Sequence, residues 1–353
     1  MIQVLIVDDS AVQRTLLTHL LSADPDIHVM GTAANGEEAL AFLERRTPDV
    51  IAMDLNMPKM DGLETTEQIM QTCPVPIVIV SAHWDPREAT STFRAMEAGA
   101  VAGVAKPQGV GPGSEEAARQ IVQTVKAMSE VKVVRRWAHR LRVDKLPATG
   151  SPAPSAAKGA ANDIKLIAVG ASTGGPPVLL RILSDLPTDF SVPVVIVQHI
   201  AKGFLPGLVA WLAQSVGLPL RVPSHGDSLL PGHVYLAPDD FHFGIDRNGC
   251  VDLSQDRFEH SLRPSVSYLF RSVADRYGSQ AVGVLLTGMG RDGAQELKLL
   301  KDAGATTIAQ DKESSVVHGM PGEAIAMDAA TYVLPPEKIA PTLVNCVRPR
   351  KAA

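Results

Sequence analysis

Residues 4–10 read Val4-Leu5-Ile6-Val7-Asp8-Asp9-Ser10, a short apolar run that stops on two carboxylates. A continuous apolar run of this length is the signature of a parallel strand buried on both faces. The pattern recurs at Val29–Thr32, Val50–Met53, Ile77–Val80 and Val101–Ala105, with amphipathic stretches such as Ala11–Leu21 and Glu37–Arg45 between. Strand–helix alternation implies right-handed crossovers and a parallel sheet covered on both faces. Residues 1–125 therefore predict a five-stranded, doubly wound α/β domain, with Ser114–Ser129 as its last helix.

Beyond Ser129 the texture changes. Val131–Arg142 is basic and helical at first, and Pro147–Ala161 is rich in Pro, Ala, Gly and Ser with little to bury. That is linker composition, assigned to residues 126–162. From Leu166 the alternation resumes. Leu166–Val169, Val194–Val197, Val282–Leu286 and Thr306–Ala309 read as strands, and Val178–Leu186, Leu205–Gln214, Ser265–Tyr277 and Ala294–Ala303 as helices. Residues 163–347 predict a second doubly wound α/β domain. Between His225 and Arg257 the pattern is shorter, Gly/Pro-rich and hairpin-like.

Composition narrows the function classes. The 353 residues are 45% hydrophobic and 20% charged, enough for real cores and against disorder. Residues 1–130 hold 9 basic and 18 acidic side chains, whereas residues 131–165 hold 8 and 2. An acidic first domain is a poor nucleic-acid binder, and no basic recognition helix is visible. Cys73, Cys250 and Cys346 form no CxxC pair and no disulfide framework. Asp8-Asp9 interrupts the N-terminal apolar run, which argues against a signal peptide, and no run approaches a membrane span of ~20 apolar residues. A cytoplasmic protein with no membrane insertion and no nucleic-acid partner is expected.

Two sets of polar residues fall at strand ends, where open α/β sheets bind ligands. The first comprises Asp8, Asp9, Asp54, Ser81 and Lys106. Carboxylates with a phosphoryl oxygen suit Mg²⁺, a hard cation that prefers oxygen ligands. Asp54 is a candidate phosphoryl acceptor, since carboxylates form aspartyl-phosphates. Lys106 would neutralise the phosphoryl charge and Ser81 would donate a hydrogen bond to it. Taken singly, such acidic residues are ordinary solvated loop residues; three of them with Ser81 and Lys106 at four strand ends are not.

These residues resemble the receiver domain of two-component response regulators. The matching elements are Val7-Asp8-Asp9-Ser10, Asp54-Leu55-Asn56-Met57-Pro58, Asp61-Gly62, Ser81-Ala82 and Lys106-Pro107. The resemblance implies a flavodoxin-like fold, phosphate transfer to Asp54 from a histidine kinase, and Mg²⁺ held by Asp9, Asp54 and the Asn56 carbonyl with Asp8 nearby. One position departs. Receivers usually carry an aromatic residue three positions before the lysine, and here that position is Gly103.

The second set begins with Gly170-Ala171-Ser172-Thr173-Gly174-Gly175, between an apolar strand and a helix with Pro near its start. It fits the G-x-S-x-G elbow, where small residues allow a sharp turn that exposes the serine oxygen. The helix N-terminus offers N–H groups and a positive dipole to an oxyanion. A phosphate-cradling loop competes, but Ser172 takes the place of the second glycine of G-x-G-x-x-G, and Gln198-His199 rather than an acid ends the next strand. His199 follows the strand next in sequence, and Asp292 sits in Thr287-Gly288-Met289-Gly290-Arg291-Asp292-Gly293, another strand-end turn. Serine, base and carboxylate at three strand ends is triad logic. His318 competes with His199, because Ser172, Asp292, His318 reproduces the chain order of α/β-hydrolases.

Gly170–Gly175, Gln198-His199, Ala237-Pro238, Arg263-Pro264-Ser265-Val266 and Gly288–Gly293, extended by Gln310-Asp311 and Gly319-Met320-Pro321, resemble the catalytic domain of the chemotaxis protein-glutamate methylesterases. The resemblance implies Ser172 as nucleophile, His199 as base and Asp292 as orienter, with Thr173 and Met289 lining the oxyanion region. It implies hydrolysis of glutamyl γ-methyl esters, and deamidation of glutamines, on the cytoplasmic domain of a chemoreceptor (a methyl-accepting chemotaxis protein). The phosphodonor would be the chemotaxis histidine kinase, and the esterase step needs no cofactor. Two other readings stay open: a phospho-regulated serine esterase or amidase of another chemosensory-like pathway, and a response regulator with a binding output.

Overall fold

The computed structural model describes residues 1–81, 86–107, 112–131, 133 and 163–347. The first unit holds β1 (Ile2–Val7), β2 (Ile27–Ala33), β3 (Val50–Met53), β4 (Ile77–Ser81) and β5 (Ala102–Ala105) in one sheet of order β2-β1-β3-β4-β5. Every pairing is parallel. The connections run through α1 (Ala11–Ser22), α2 (Gly36–Leu43), α3 (Gly62–Thr72) and α4 (Pro86–Ala98), and α5 (Pro112–Ser129) follows β5. Side chains start the helices sharply. Ser10 caps α1 by accepting from the Gln13 N–H, Asn35 caps α2 from Glu38, and Asp61 caps α3 from Glu64. The chain turns almost as soon as each strand ends, so the strand-end acids stay at the sheet edge.

The second unit holds β6 (Leu166–Ala171), β7 (Val194–Gln198), β8 (Leu220–Arg221), β9 (Val234–Leu236), β10 (His242–Ile245), β11 (Val251–Ser254), β12 (Ala281–Leu285), β13 (Thr306–Gln310) and β14 (Tyr332–Leu334). Seven of these form a parallel sheet of order β14-β13-β12-β6-β7-β9-β8. Its helices are α6 (Gly175–Ser184), α7 (Leu205–Leu212), α8 (Val266–Tyr277), α9 (Ala294–Asp302), α10 (Met320–Ala326) and α11 (Pro336–Val347). Side chains of α6, α7 and α11 pack on one face of the sheet, and those of α8, α9 and α10 on the other. The chain leaves β6 toward β7 on one side and returns beside it as β12. The C-terminal ends of β6, β7 and β12 therefore border the switch-point crevice.

Three findings differ from the sequence reading. The hairpin-like stretch contains one antiparallel hairpin, β10–β11, but Val234–Leu236 joins the main sheet in parallel, its three residues all buried. Tyr332–Leu334 adds an edge strand too short and too exposed for periodicity to mark. Met320–Ala326 and Pro336–Val347 are helices, the second carrying an internal Pro341. The basic stretch expected to begin as a helix at Val131, and the Pro/Ala-rich linker after it, lie almost wholly outside the described residues.

The two units touch through α4. Phe93 and Met96 are buried in the hydrophobic cluster of α6, α7 and α11, and Val316 and Val317 pack against the core of the first unit. The absent aromatic side chain at Gly103 has a steric reason. A Cβ there would lie 2.7 Å from Thr92 Cγ2 and 2.9 Å from Met96 Cε, so α4 occupies that space. No helix among the described residues is long and apolar enough to cross a membrane.

Candidate active site

At the edge of the first sheet, β1 and β3 are neighbours, and their C-terminal ends bring Asp8, Asp9 and Asp54 together. One oxygen from each carboxylate lies within 4.8 Å of the others. Lys106 Nζ lies 2.9 Å from Asp8 Oδ2 and 3.0 Å from Asp54 Oδ1. Asp8 Oδ2 meets the ammonium off the hydrogen-bonding direction and is a buried acceptor with no donor aligned on it. Burial pushes the Asp54 carboxyl up, and the Lys106 ammonium holds it back. Burial works against the Lys106 charge, but Asp54 and Asp8 outweigh it and raise its pKa. Arg14 donates to the Asp8 and Asp9 carbonyls at 2.7 and 3.0 Å, fixing the turn that presents both acids. Ser81 is buried at the end of β4, and its carbonyl accepts from Lys106 N–H at 2.9 Å. Asn56 is exposed two residues after Asp54.

At the edge of the second sheet, the last register pair of β6 and β7 is Ala171↔Gln198. The next residues are Ser172 and His199, and the His199 N–H still donates to Ala171 O at 2.9 Å. Neighbouring strands lie ~4.8 Å apart, so the two candidates leave the ladder at adjacent positions. His199 Nε2 lies 2.9 Å from Asp292 Oδ2. The ring N–H is off the line to the carboxylate, which makes this a close polar contact and not a linear hydrogen bond. His318 is not part of this group. It bridges to Gly288, its Nδ1 lies 3.4 Å from Ser315 Oγ, and burial lowers its pKa.

Asp292 is 2% exposed and saturated with donors. Oδ1 accepts from Ser265 Oγ at 2.9 Å and the Ser267 N–H at 3.0 Å, and Oδ2 accepts from the Val266 N–H at 2.7 Å. These donors are the N-cap and first turn of α8, so the carboxylate sits on a helix N-terminus, where negative charge is favoured. Burial alone would raise its pKa. His199 and the α8 donors reverse that and hold it far below the usual carboxylate range. An ionised partner of this kind holds the imidazole in one orientation.

The turn after β6 is held from β12. The Ser172 N–H donates to Thr287 O at 3.0 Å, and Thr287 Oγ1 lies 3.0 Å from Thr173 O. Thr287 in turn accepts from the Val317 N–H at 3.0 Å and donates its own N–H to Gln310 Oε1 at 2.8 Å. Met289, two residues on, is 47% exposed beside this turn. Sequence reasoning quoted Gln198, Ser265, Thr287 and Gln310 only as parts of longer motifs and gave them no role. An available signal was Ser265, an N-cap residue directly before a helical pattern.

Over residues 167–343 the chain matches the CheB methylesterase family, and over residues 4–112 the response regulator receiver domain. It is 54% identical to the protein-glutamate methylesterase/protein-glutamine glutaminase 1 of Syntrophus aciditrophicus (strain SB), over 98% of each chain. It is also 54% identical to a protein of the same description from Nitrosospira multiformis, over 99% of this chain and 98% of the relative. The crystal structure of the Thermotoga maritima CheB methylesterase catalytic domain superposes with a TM-score of 0.50 at 39% identity, covering 52% of this chain and 98% of that one.

Proposed function

Because the chain belongs to the CheB methylesterase family and carries a receiver domain ahead of the catalytic one, we propose that it is a phosphorylation-controlled protein-glutamate methylesterase and protein-glutamine glutaminase. Its substrate is the cytoplasmic part of a methyl-accepting chemoreceptor, and the protein works in the cytoplasm. The observation that carries the reading is that Ser172 and His199 each directly follow the last β6–β7 register pair, with Asp292 Oδ2 at 2.9 Å from His199 Nε2.

In the proposed reaction, His199 takes the Ser172 hydroxyl proton as Oγ bonds to the ester carbonyl carbon. With Nε2 against Asp292, Nδ1 is the ring nitrogen left for that proton. The tetrahedral oxyanion is met by backbone N–H groups around Thr173 and Met289. The imidazolium returns the proton to the departing methoxide, methanol leaves, and an acyl-serine remains. His199 then deprotonates a water that attacks the acyl carbon, releasing glutamate and restoring Ser172. A glutamine side chain follows the same course with ammonia as leaving group.

Control is proposed to start at Asp54, phosphorylated by the chemotaxis histidine kinase. Asp9, Asp54 and the Asn56 carbonyl, with Asp8 beside them, would hold Mg²⁺. Three carboxylates that each offer an oxygen within 4.8 Å of the others form an all-oxygen donor set that fits that ion. When bound, Mg²⁺ supplies positive charge that screens the phosphoryl oxygens from the carboxylates. Asp54 takes the phosphoryl group, Lys106 pairs with its charge, and Ser81 donates to it. The receiver rests on the catalytic unit through Phe93 and Met96, and phosphorylation would shift the balance between this packing and a looser one.

The test is methanol release from methylated receptor membranes, with and without a small phosphodonor and Mg²⁺, for wild type and Ser172→Ala. Release that depends on Ser172 and rises with the phosphodonor is expected. A folded, phosphorylatable protein that releases no methanol would overturn the substrate assignment.

A further inference from the structure

Resting on the hydrolase reading above, we propose that Gln198 is the positioning residue that sets the distance between nucleophile and base. Its side chain is 6% exposed. Its one amide nitrogen, Nε2, donates to Ser172 O at 2.8 Å and to His199 O at 2.9 Å. The two carbonyls lie one residue beyond the last register pair, Ala171↔Gln198, past the final ladder bond from the His199 N–H to Ala171 O. The side chain thus supplies the hydrogen bonds that the backbone ladder can no longer make, at the two residues where the proposed chemistry needs a fixed separation.

Three features make this arrangement specific. Ser172 O also accepts from the Gly175 N–H at 2.8 Å, so the amide locks the serine turn and not merely a strand end. The amide lies against the start of α6. A Cβ on Gly175 would sit 2.3 Å from Gln198 Oε1, so the glycine leaves the space the amide fills. Both partners of Nε2 are acceptors, which requires a donor at that point. A glutamate of the same shape would turn an oxygen toward two carbonyls and place a negative charge beside His199.

The role differs from general core stability. Misplacing a reacting group by about 1 Å can cost ~10²-fold in rate without weakening substrate binding. Gln198 Nε2 bonds the backbone carbonyls of Ser172 and His199 and not their reacting side chains, so its loss should appear in kcat and not in KM.

The experiment uses the full-length protein and two readouts: methanol release from methylated receptor membranes, and labelling of Ser172 by a fluorophosphonate followed by mass spectrometry. Gln198→Met, close in volume but without the donor, is expected to lower kcat and the labelling rate roughly 10–100-fold, with KM and the urea midpoint close to wild type. Gly175→Ala, whose Cβ would press on Gln198 Oε1 and on Ala171 Cβ, should lower both rates in the same sense. Gln198→Glu should shift the acid limb of kcat/KM to higher pH, because the added charge stabilises the His199 imidazolium. A folded Gln198→Met enzyme with kcat and labelling within about twofold of wild type, or with the loss confined to KM, overturns the proposal. Wild-type protein labelled at Ser172 that releases no methanol would instead count against the substrate reading and leave the positioning role to be judged on the labelling rates.

Discussion

Phe93 of α4 stacks on Trp211 of α7, ring centroids 5.6 Å apart and planes 25° apart. Both side chains are almost completely buried in a cluster whose other buried residues, Met96 apart, belong to the catalytic unit. The receiver is therefore joined to the catalytic unit by real core packing and not by a polar surface contact alone.

Cutting this contact should release the catalytic unit. Phe93→Ala removes a large buried ring, a change that typically costs ~3–5 kcal/mol in a core. Basal methanol release is expected to rise and the further stimulation by a phosphodonor to shrink. Gly103→Ala should act in the same direction, because its methyl group would press on Thr92 and Met96 and unseat α4. Steady-state release by both variants, with and without phosphodonor, checks this. Unchanged basal rates in folded variants would separate the contact from control.

Asp54→Ala is expected to abolish stimulation while leaving basal release near wild type, since Asp54 lies in the other sheet from Ser172. Chelation of Mg²⁺ should do the same to the wild-type protein, leaving basal activity intact. Release assays with and without EDTA test both arms. Stimulation that persists in Asp54→Ala would move the phosphoacceptor elsewhere.

The two histidines should separate cleanly. His199→Ala is expected to lower kcat by roughly 10³-fold or more, as loss of a triad member does. His318→Ala should retain most activity, because its ring is engaged with Ser315 and away from Asp292. Comparing kcat for the two variants decides it, and the reverse ranking would restore the α/β-hydrolase chain order.

Asp292 makes a prediction about pH. Its carboxyl is held below the ordinary value, so the folded state binds the ionised form more tightly than the unfolded state does. The resulting stability is fully present above the unfolded-state value, near ~4, and is lost as pH falls through the lowered folded value. Asp292→Asn should therefore differ most from wild type in urea midpoint near neutrality, and the gap should narrow toward about pH 3. The same variant should lose roughly 10²–10⁴-fold in kcat through a misoriented imidazole. Urea titrations at several pH values test the first statement. A gap that widens in acid would contradict it.

The sequence alone carried the strand–helix grammar, because parallel strands buried on both faces must be continuous apolar runs. Val4–Val7 and Leu166–Val169 could hardly be read otherwise. It also carried Asp8, Asp9, Asp54, Lys106, Ser172, His199 and Asp292, because polar residues that end such runs fall at the carboxyl edge of the sheet. It favoured His199 over His318 because His199 follows the strand next in sequence to the serine turn, although Ser172, Asp292, His318 is the chain order of α/β-hydrolases. What the tertiary structure adds is the placement: β7 lies beside β6, and Asp292, held on the N-terminus of α8, lies 2.9 Å from His199. Nor could the sequence show that Gln198 ties the Ser172 and His199 carbonyls together, that Thr287 holds Thr173 O, or that α4 fills the space over Gly103 and carries Phe93 to Trp211. Those contacts join residues far apart in the chain, and only the packing of sheet against helix brings them within reach.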